Sequence, residues 1–249
     1  MKNPIELLGE AFSLSINPAS LFLGAIYFAI ALLIGFGIST IAVVAGLFGI
    51  GALGLIENIF VKVAIIGTIA LIAFVILIVI QAIMNIFALT GFGQILQRNT
   101  YNFEAIGDSV RMRVFPTIVA MLIVLFIYAL VLGILAGVFY LPLKEVGLII
   151  AFFVFLAFVF LTIPFFMLVS PTVVFENVGG IEAVGRAMLY GRRNYLFNLG
   201  TIVTVILLAI PMMLSFIIPP IGLLVSFFFT ILYTIYIVKI YQENKARSI

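Results

Sequence analysis

Ile5-Glu6-Leu7-Leu8-Gly9-Glu10-Ala11 returns as Phe103-Glu104-Ala105-Ile106-Gly107-Asp108-Ser109 and again as Ile181-Glu182-Ala183-Val184-Gly185-Arg186-Ala187. In each copy an apolar residue precedes a glutamate, a glycine follows three residues later, and a small residue comes two further on. Each copy also stands ahead of a pair of long apolar segments. Recurrence of this kind reads as three copies of one unit, an interfacial helix followed by a transmembrane hairpin.

The surrounding composition belongs to a membrane protein. Hydrophobic residues make up 66% of the 249 and charged residues 8%, too few charges to cover the surface of a water-soluble domain. Asn194 to Val238 carries no charge at all. At ~1.5 Å per residue that stretch crosses a ~30 Å hydrocarbon core twice, with Pro219-Pro220 near its middle as the turn. The apolar runs lack the alternation that a β-barrel needs. The expected fold is therefore an all-α polytopic membrane protein, one membrane domain over 1–249.

Six spans are expected near 20–48, 63–90, 115–140, 146–169, 198–218 and 221–240. The first is longer than a bilayer requires and should tilt, protrude or bend near Gly35 and Gly37. Of the twelve basic residues, only Lys62 and Lys144 fall in the short loops after odd-numbered spans, which also hold Glu57 and Glu145. The other ten flank the termini and the loops at 91–114 and 170–197. That bias puts both termini in the cytoplasm, in a multi-pass protein of the cell membrane. It also places all three repeated segments on the cytoplasmic side. A cleavable secretory signal is not expected, since Glu6 and Glu10 follow Lys2 and no short apolar core leads to a small-x-small site.

The repeated segments have the pattern of amphipathic helices. Ile5, Leu8, Phe12 and Ile16 form one stripe, matched by Phe103, Ile106, Val110 and Val114 and, in the third copy, by Ile181, Val184 and Met188. Asn3-Pro4 is a helix start, and Glu6 can close a capping box. The units end alike at Arg98-Asn99, Glu176-Asn177 and Glu243-Asn244. Gly91, Gly93 and Pro171 are expected to break the even-numbered spans before those ends. The units are then 1–98, 99–176 and 177–249, packed about a pseudo-threefold axis along the membrane normal.

Few residues carry chemistry. The chain has no cysteine, histidine or tryptophan, which removes thiol chemistry, the usual general base near neutral pH and the commonest metal ligand. No catalytic, metal or cofactor residues are assigned. The net charge of +3 sits beside the spans, where anionic lipid rather than nucleic acid is the partner. Tyr27, Tyr101, Tyr140, Tyr190, Tyr195 and Tyr241 are the interfacial aromatics.

Gly9, Gly107 and Gly185 point to close approach of a neighbouring span, or else of a lipid head group. Glu6, Glu104 and Glu182 read as first-turn carboxylates on the helix dipole, with a carboxylate ring around an axial path as the alternative. Arg111, Arg113, Arg192 and Arg193 are the candidate lipid head-group contacts. Gln81 and Asn85, four apart in the second span, are intramembrane polar residues that serve either as helix–helix glue or as part of a substrate path. Gly133 and Gly137 are a further close-contact pair. No ionisable residue lies near the centre of any span, which counts against ion-coupled transport.

The run Ser170-Pro171-Thr172-Val173-Val174-Phe175-Glu176-Asn177, followed by Gly180-Ile181-Glu182-Ala183-Val184-Gly185-Arg186-Ala187, resembles a pattern of prokaryotic six-span membrane proteins. That group includes the membrane domain of some glycerophosphoryl diester phosphodiesterases and the YciC-like inner-membrane proteins. The resemblance implies architecture, because the membrane part of that group has no established catalysis. Phosphodiesterase chemistry does not carry over to a chain without histidine or a barrel domain.

These readings converge on a non-enzymatic integral membrane accessory or scaffold protein that engages lipids, other membrane subunits or a second copy of itself. A permease or channel for a small or apolar molecule is the alternative, and a lipid-modifying membrane enzyme the third reading.

Overall fold

The computed structural model describes residues 2–54 and 59–248, with the side chains of 41–54, 59–60, 62–64 and 67 excepted. Glu57 lies outside the described residues, as does the side chain of Lys62. Every regular element described is a helix: α1 (Pro4–Ser15), α2 (Pro18–Gly54), α3 (Ile59–Arg98), α4 (Phe103–Phe166), α5 (Val169–Glu176), α6 (Gly180–Arg193), α7 (Tyr195–Ser215) and α8 (Pro219–Ser248). Five stretches are long and apolar enough to cross a membrane: Pro18–Thr40, Thr68–Arg98, Phe103–Glu176, Tyr195–Ser215 and Pro219–Ser248.

The third of these is folded on itself. Lys144 has φ 50° and ψ −127°, non-helical values that divide α4 into arms 103–143 and 145–166. Gly147 sits so close to the Phe139 carbonyl that a Cβ would collide with it. The arms pack side by side, since the Tyr128 ring meets Phe155, Phe158 and Phe166 and the Thr162 hydroxyl bonds to the Tyr128 oxygen at 3.2 Å. Between α7 and α8 the chain turns over Phe216–Ile218, just ahead of the expected Pro219-Pro220, which form the first turn of α8.

Helix ends follow local chemistry. Asn3 caps α1 and closes a capping box with Glu6, and Asn102 caps α4 through the Glu104 and Ala105 amides. Asn99 and Asn177 adopt left-handed conformations, φ 55° and 54°, a backbone setting that asparagine tolerates at helix ends. Asn244, the third member of that set, is instead fully buried inside α8. There it donates to Asn198 Oδ1 at 2.8 Å, and Asn198 in turn donates to the Pro164 carbonyl at 3.2 Å.

Three sequence expectations are corrected. α3 runs through Gly91 and Gly93 without a break. Those glycines admit neighbours instead: a Cβ on Gly91 would lie 2.6 Å from Leu23, and one on Gly93 2.8 Å from Phe175. α2, expected to tilt, protrude or bend near Gly35 and Gly37, is one helix through those glycines to Gly54, a length of ~56 Å. The break before α5 falls at Met167 and Leu168, three residues ahead of Pro171. Finally, the second repeated segment is no separate helix but the start of α4, continuous through Pro116. In α1 and α6 the chain breaks at Ile16–Asn17 and at Asn194.

The packed core lies toward one end of the molecule. Leu23, Phe92, Ile106, Ile231, Ile235 and Tyr236 are at most 1% exposed, whereas apolar side chains along 121–162 largely face outward. α6 lies across both arms of α4. Gly180 approaches the Pro116 carbonyl and Gly191 approaches Phe165, each so closely that a Cβ would stand 2.5 Å away.

Candidate functional site

One end of the molecule is a polar collar to which all three repeated segments belong. The end of α1 meets the end of α3 through Asn17 and Asn99, 2.7 Å apart. Gln94 of α3 accepts from the Asn102 amide at the start of α4, at 2.8 Å. Arg113 of α4 reaches Asn177 after α5, and Arg193 of α6 donates to the Ser248 carbonyl at 2.6 Å. Glu6, Glu104 and Glu182 each occupy the first turn of a helix and are exposed.

The repeated glycines do not have the packing role expected of them. Gly9, Gly107 and Gly185 are exposed, and nothing lies within 4 Å of where a Cβ would be. The buried member of the motif is the small residue two positions on: Ala11, Ser109 and Ala187 are at most 8% exposed. A helix turns ~100° per residue, so positions two apart face nearly opposite ways. The small residue docks against protein, and the glycine therefore points out. Gly133 and Gly137 are likewise open.

Two charge clusters hold the collar together. Glu176 has a side chain only 4% exposed, yet it receives three donors: Arg186 Nη1 at 2.5 Å, Tyr190 Oη at 2.5 Å and Tyr241 Oη at 2.7 Å. Arg186 also pairs with Glu182, at 2.6 Å. Burial, and then the bonded carboxylate of Glu176, push the Tyr190 phenol up to about 12. In the second cluster Glu10 accepts from Lys2 and, at 2.7 Å, from Lys239 of α8. Those bonds, led by the one from Lys2, hold the Glu10 carboxyl below its usual value. Arg247 then stacks 4.0 Å over Phe197 and donates to the Lys2 carbonyl at 2.6 Å.

The four head-group arginines separate into two kinds. Arg111 and Arg192 are exposed and bond no acceptor among the described residues. Arg193 is tied to the C-terminal end of α8. Arg113 is half-buried, and both its bonds go to neutral oxygens, Ser109 Oγ at 3.2 Å and Asn177 Oδ1 at 3.4 Å. It borders a hollow of about 200 Å³ with Thr90, Gln94 and Gln97, and the same two glutamines border a second hollow of about 480 Å³ with Arg98 and Thr100. The Thr90 hydroxyl is buried without a partner among the described residues. Arg113 and Arg98 thus border a cleft lined otherwise by neutral side chains, with no carboxylate in its walls among the described residues.

Gln81 and Asn85 lie elsewhere, along α3 toward the middle of the spans. Gln81 Nε2 bonds Asn85 Oδ1 at 3.4 Å. Both line a cavity of about 320 Å³ with Tyr27, Ser170, Tyr233 and Thr234. Leu89 and Ile237 of the cavity wall and Val174 of the cleft wall belong to one small apolar cluster with Ile86 and Val238. Among the described residues, no group of His, Cys, Asp and Glu could hold a metal ion.

By sequence alone, Tyr190 and Tyr241 read as interfacial aromatics and Glu176 only as a unit end. The one local signal of their cluster was the helical spacing from Glu182 through Arg186 to Tyr190. No family model, curated protein or solved structure matches the chain.

Proposed function

We propose that this is a six-span protein of the cell membrane with both termini cytoplasmic, built as three repeats about a common axis. It does no chemistry of its own. Its collar holds anionic lipid head groups and presents the same face to other membrane subunits, as an accessory or scaffold component. The resemblance to the six-span prokaryotic group is in keeping with that architecture. The observation that carries the lipid reading is the cleft at Arg113, where a half-buried cation has only neutral partners beside Gln94, Gln97 and Arg98. A phosphate oxygen supplies the acceptor that this arrangement lacks.

The filled centre supports the same reading over a channel, because Tyr236, Ile231, Phe92 and their neighbours occupy the interior near the collar. Purified protein in nanodiscs should retain phosphatidylglycerol over phosphatidylcholine, and Arg113→Gln should reduce that preference several-fold. Equal retention of both lipids by the unaltered protein would sink the proposal.

A permease is the second reading. It is favoured by the alignment of the intramembrane cavity and the cleft along α3, whose walls share the cluster at Leu89 and Val174. Solute flux through proteoliposomes that rises when Leu89 and Val174 are both changed to alanine would favour it.

A further inference from the structure

The cavity at Gln81 and Asn85 has a chemistry of its own, and it is distinct from the collar cleft. Asn85 and Gln81 lie about 14 and 20 Å along the α3 axis from Gln94, which puts them near the centre of a ~30 Å hydrocarbon core. Polar side chains at that depth are costly without partners. Gln81 is nevertheless exposed, and Tyr233 is 42% exposed, both on the lipid-facing side of the cavity.

Nearly all the unengaged groups can donate, the Gln81 amide oxygen being the one pure acceptor among them. Asn85 Nδ2 and the hydroxyls of Tyr27, Ser170 and Tyr233 bond no acceptor among the described residues. Gln81 Nε2 makes one bond with one of its two hydrogens. Thr230 and Thr234, by contrast, satisfy themselves on backbone carbonyls one turn back. The remainder of the wall is apolar, with Ala88, Leu89, Met167 and Phe229. Among the described residues, no charged side chain lines the cavity.

We infer that this cavity binds a neutral amphiphile whose polar end is rich in carbonyl oxygens, with its tail in the bilayer. Donors without a counter-charge call for acceptors without a charge, and the depth rules out a phosphate head group, whose desolvation there is prohibitive. The volume falls at the small end of ligand sites, enough for a polar head while the tail stays outside. Diester glycerides and quinones share this chemistry.

The test uses purified protein in maltoside detergent, melted with dioleoylglycerol, with decylubiquinone, or with squalane as a tail that carries no acceptor. At saturation one of the two carbonyl probes should raise the melting temperature by roughly 5 °C, and the probe that does so identifies the source. Squalane should not raise it. Gln81→Leu and Tyr233→Phe should each abolish the rise. Gln81→Leu by itself should melt no lower than the unaltered protein, because it replaces an exposed amide at lipid depth, so loss of response is separable from loss of fold.

The inference is overturned if neither carbonyl probe acts, if squalane acts as well as they do, or if both variants keep the rise. It is overturned equally if the protein is a dimer that Gln81→Leu turns into a monomer, since a second copy would then cover the cavity. Arg113→Gln should leave the response intact, so this site and the collar cleft fail or stand separately.

Discussion

Two classes of glycine in this chain should respond oppositely to the same substitution. Gly9, Gly107 and Gly185 have open space where a Cβ would stand. Alanine there removes backbone freedom from the unfolded chain at no steric cost, so each variant should be more stable by up to ~1 kcal/mol. Gly180 and Gly191 face backbone atoms of α4 at 2.5 Å, and alanine there should cost about 1–3 kcal/mol as α6 is pushed off. Melting curves of the five alanine variants in one detergent check both halves. Glu176 is the other decisive residue. Glu176→Gln keeps the shape but leaves Arg186 with one carboxylate and two tyrosine donors with a weaker acceptor. It should lower stability by about 1–3 kcal/mol, whereas Glu104→Gln, exposed in the first turn of α4, should change it by only a few tenths.

α1 is held to α8 by charge as well as by packing, and the charge is titratable. Glu10 is bonded to Lys2 and Lys239, and its folded value lies below the ordinary 4.5. A depressed carboxyl contributes stability that is present above its unfolded value and lost as pH falls through the folded one. Melting temperature should therefore fall on acidification below 4.5, and Glu10→Gln should flatten that part of the profile. At the alkaline end, Tyr190 keeps its proton in the fold up to about 12. The unfolded chain loses it near 10, so stability should fall between those values, and Tyr190→Phe should lessen the fall.

What could be read from sequence at this level was whatever depends on near neighbours. The cap and capping box at Asn3 and Glu6 and the chain reversal just ahead of Pro219 follow from residues within a few positions of one another. Gly91 and Gly93 were misread because a helical glycine looks the same whether it ends a helix or admits Leu23 and Phe175 from distant segments. The Glu176 cluster was missed for the same reason, because Tyr241 is 65 residues away. Of the candidate sites, Gln81 and Asn85 were legible as a pair, but their cavity needs α2, α5 and α8.

The molecule is closed at the collar and opens away from it. Apolar side chains of the α4 arms face outward, with Leu141 85% exposed near their tip. In a bilayer, acyl chains would meet those side chains, so stability should depend on the lipid. Lengthening the chains of the host lipid from twelve to eighteen carbons should change the melting temperature by several degrees, more than it does for Glu10→Gln relative to the unaltered protein. The two ends should also be chemically distinct. A cysteine at Lys144 should label with an impermeant reagent from one side of the membrane, and one at Arg111 or Arg192 only from the other. Common labelling from a single side would mean that the α4 hairpin does not traverse the bilayer.

The bond between the two ends of the chain has a bearing on how the protein is made. Lys2 donates its backbone amide to Glu243 and offers its carbonyl to Arg247, while Glu10 pairs with Lys239. A ribosome delivers ~5–20 residues per second, so α1 waits on the order of ten seconds or more before its partner exists. During that interval its docking face, Leu7, Ala11 and Ser15, is uncovered on an otherwise inserted protein. Emergence of α8, rather than insertion of any earlier helix, is then the event that completes the fold. A nascent chain stalled before residue 239 should leave α1 open to protease, and one stalled after α8 has emerged should not.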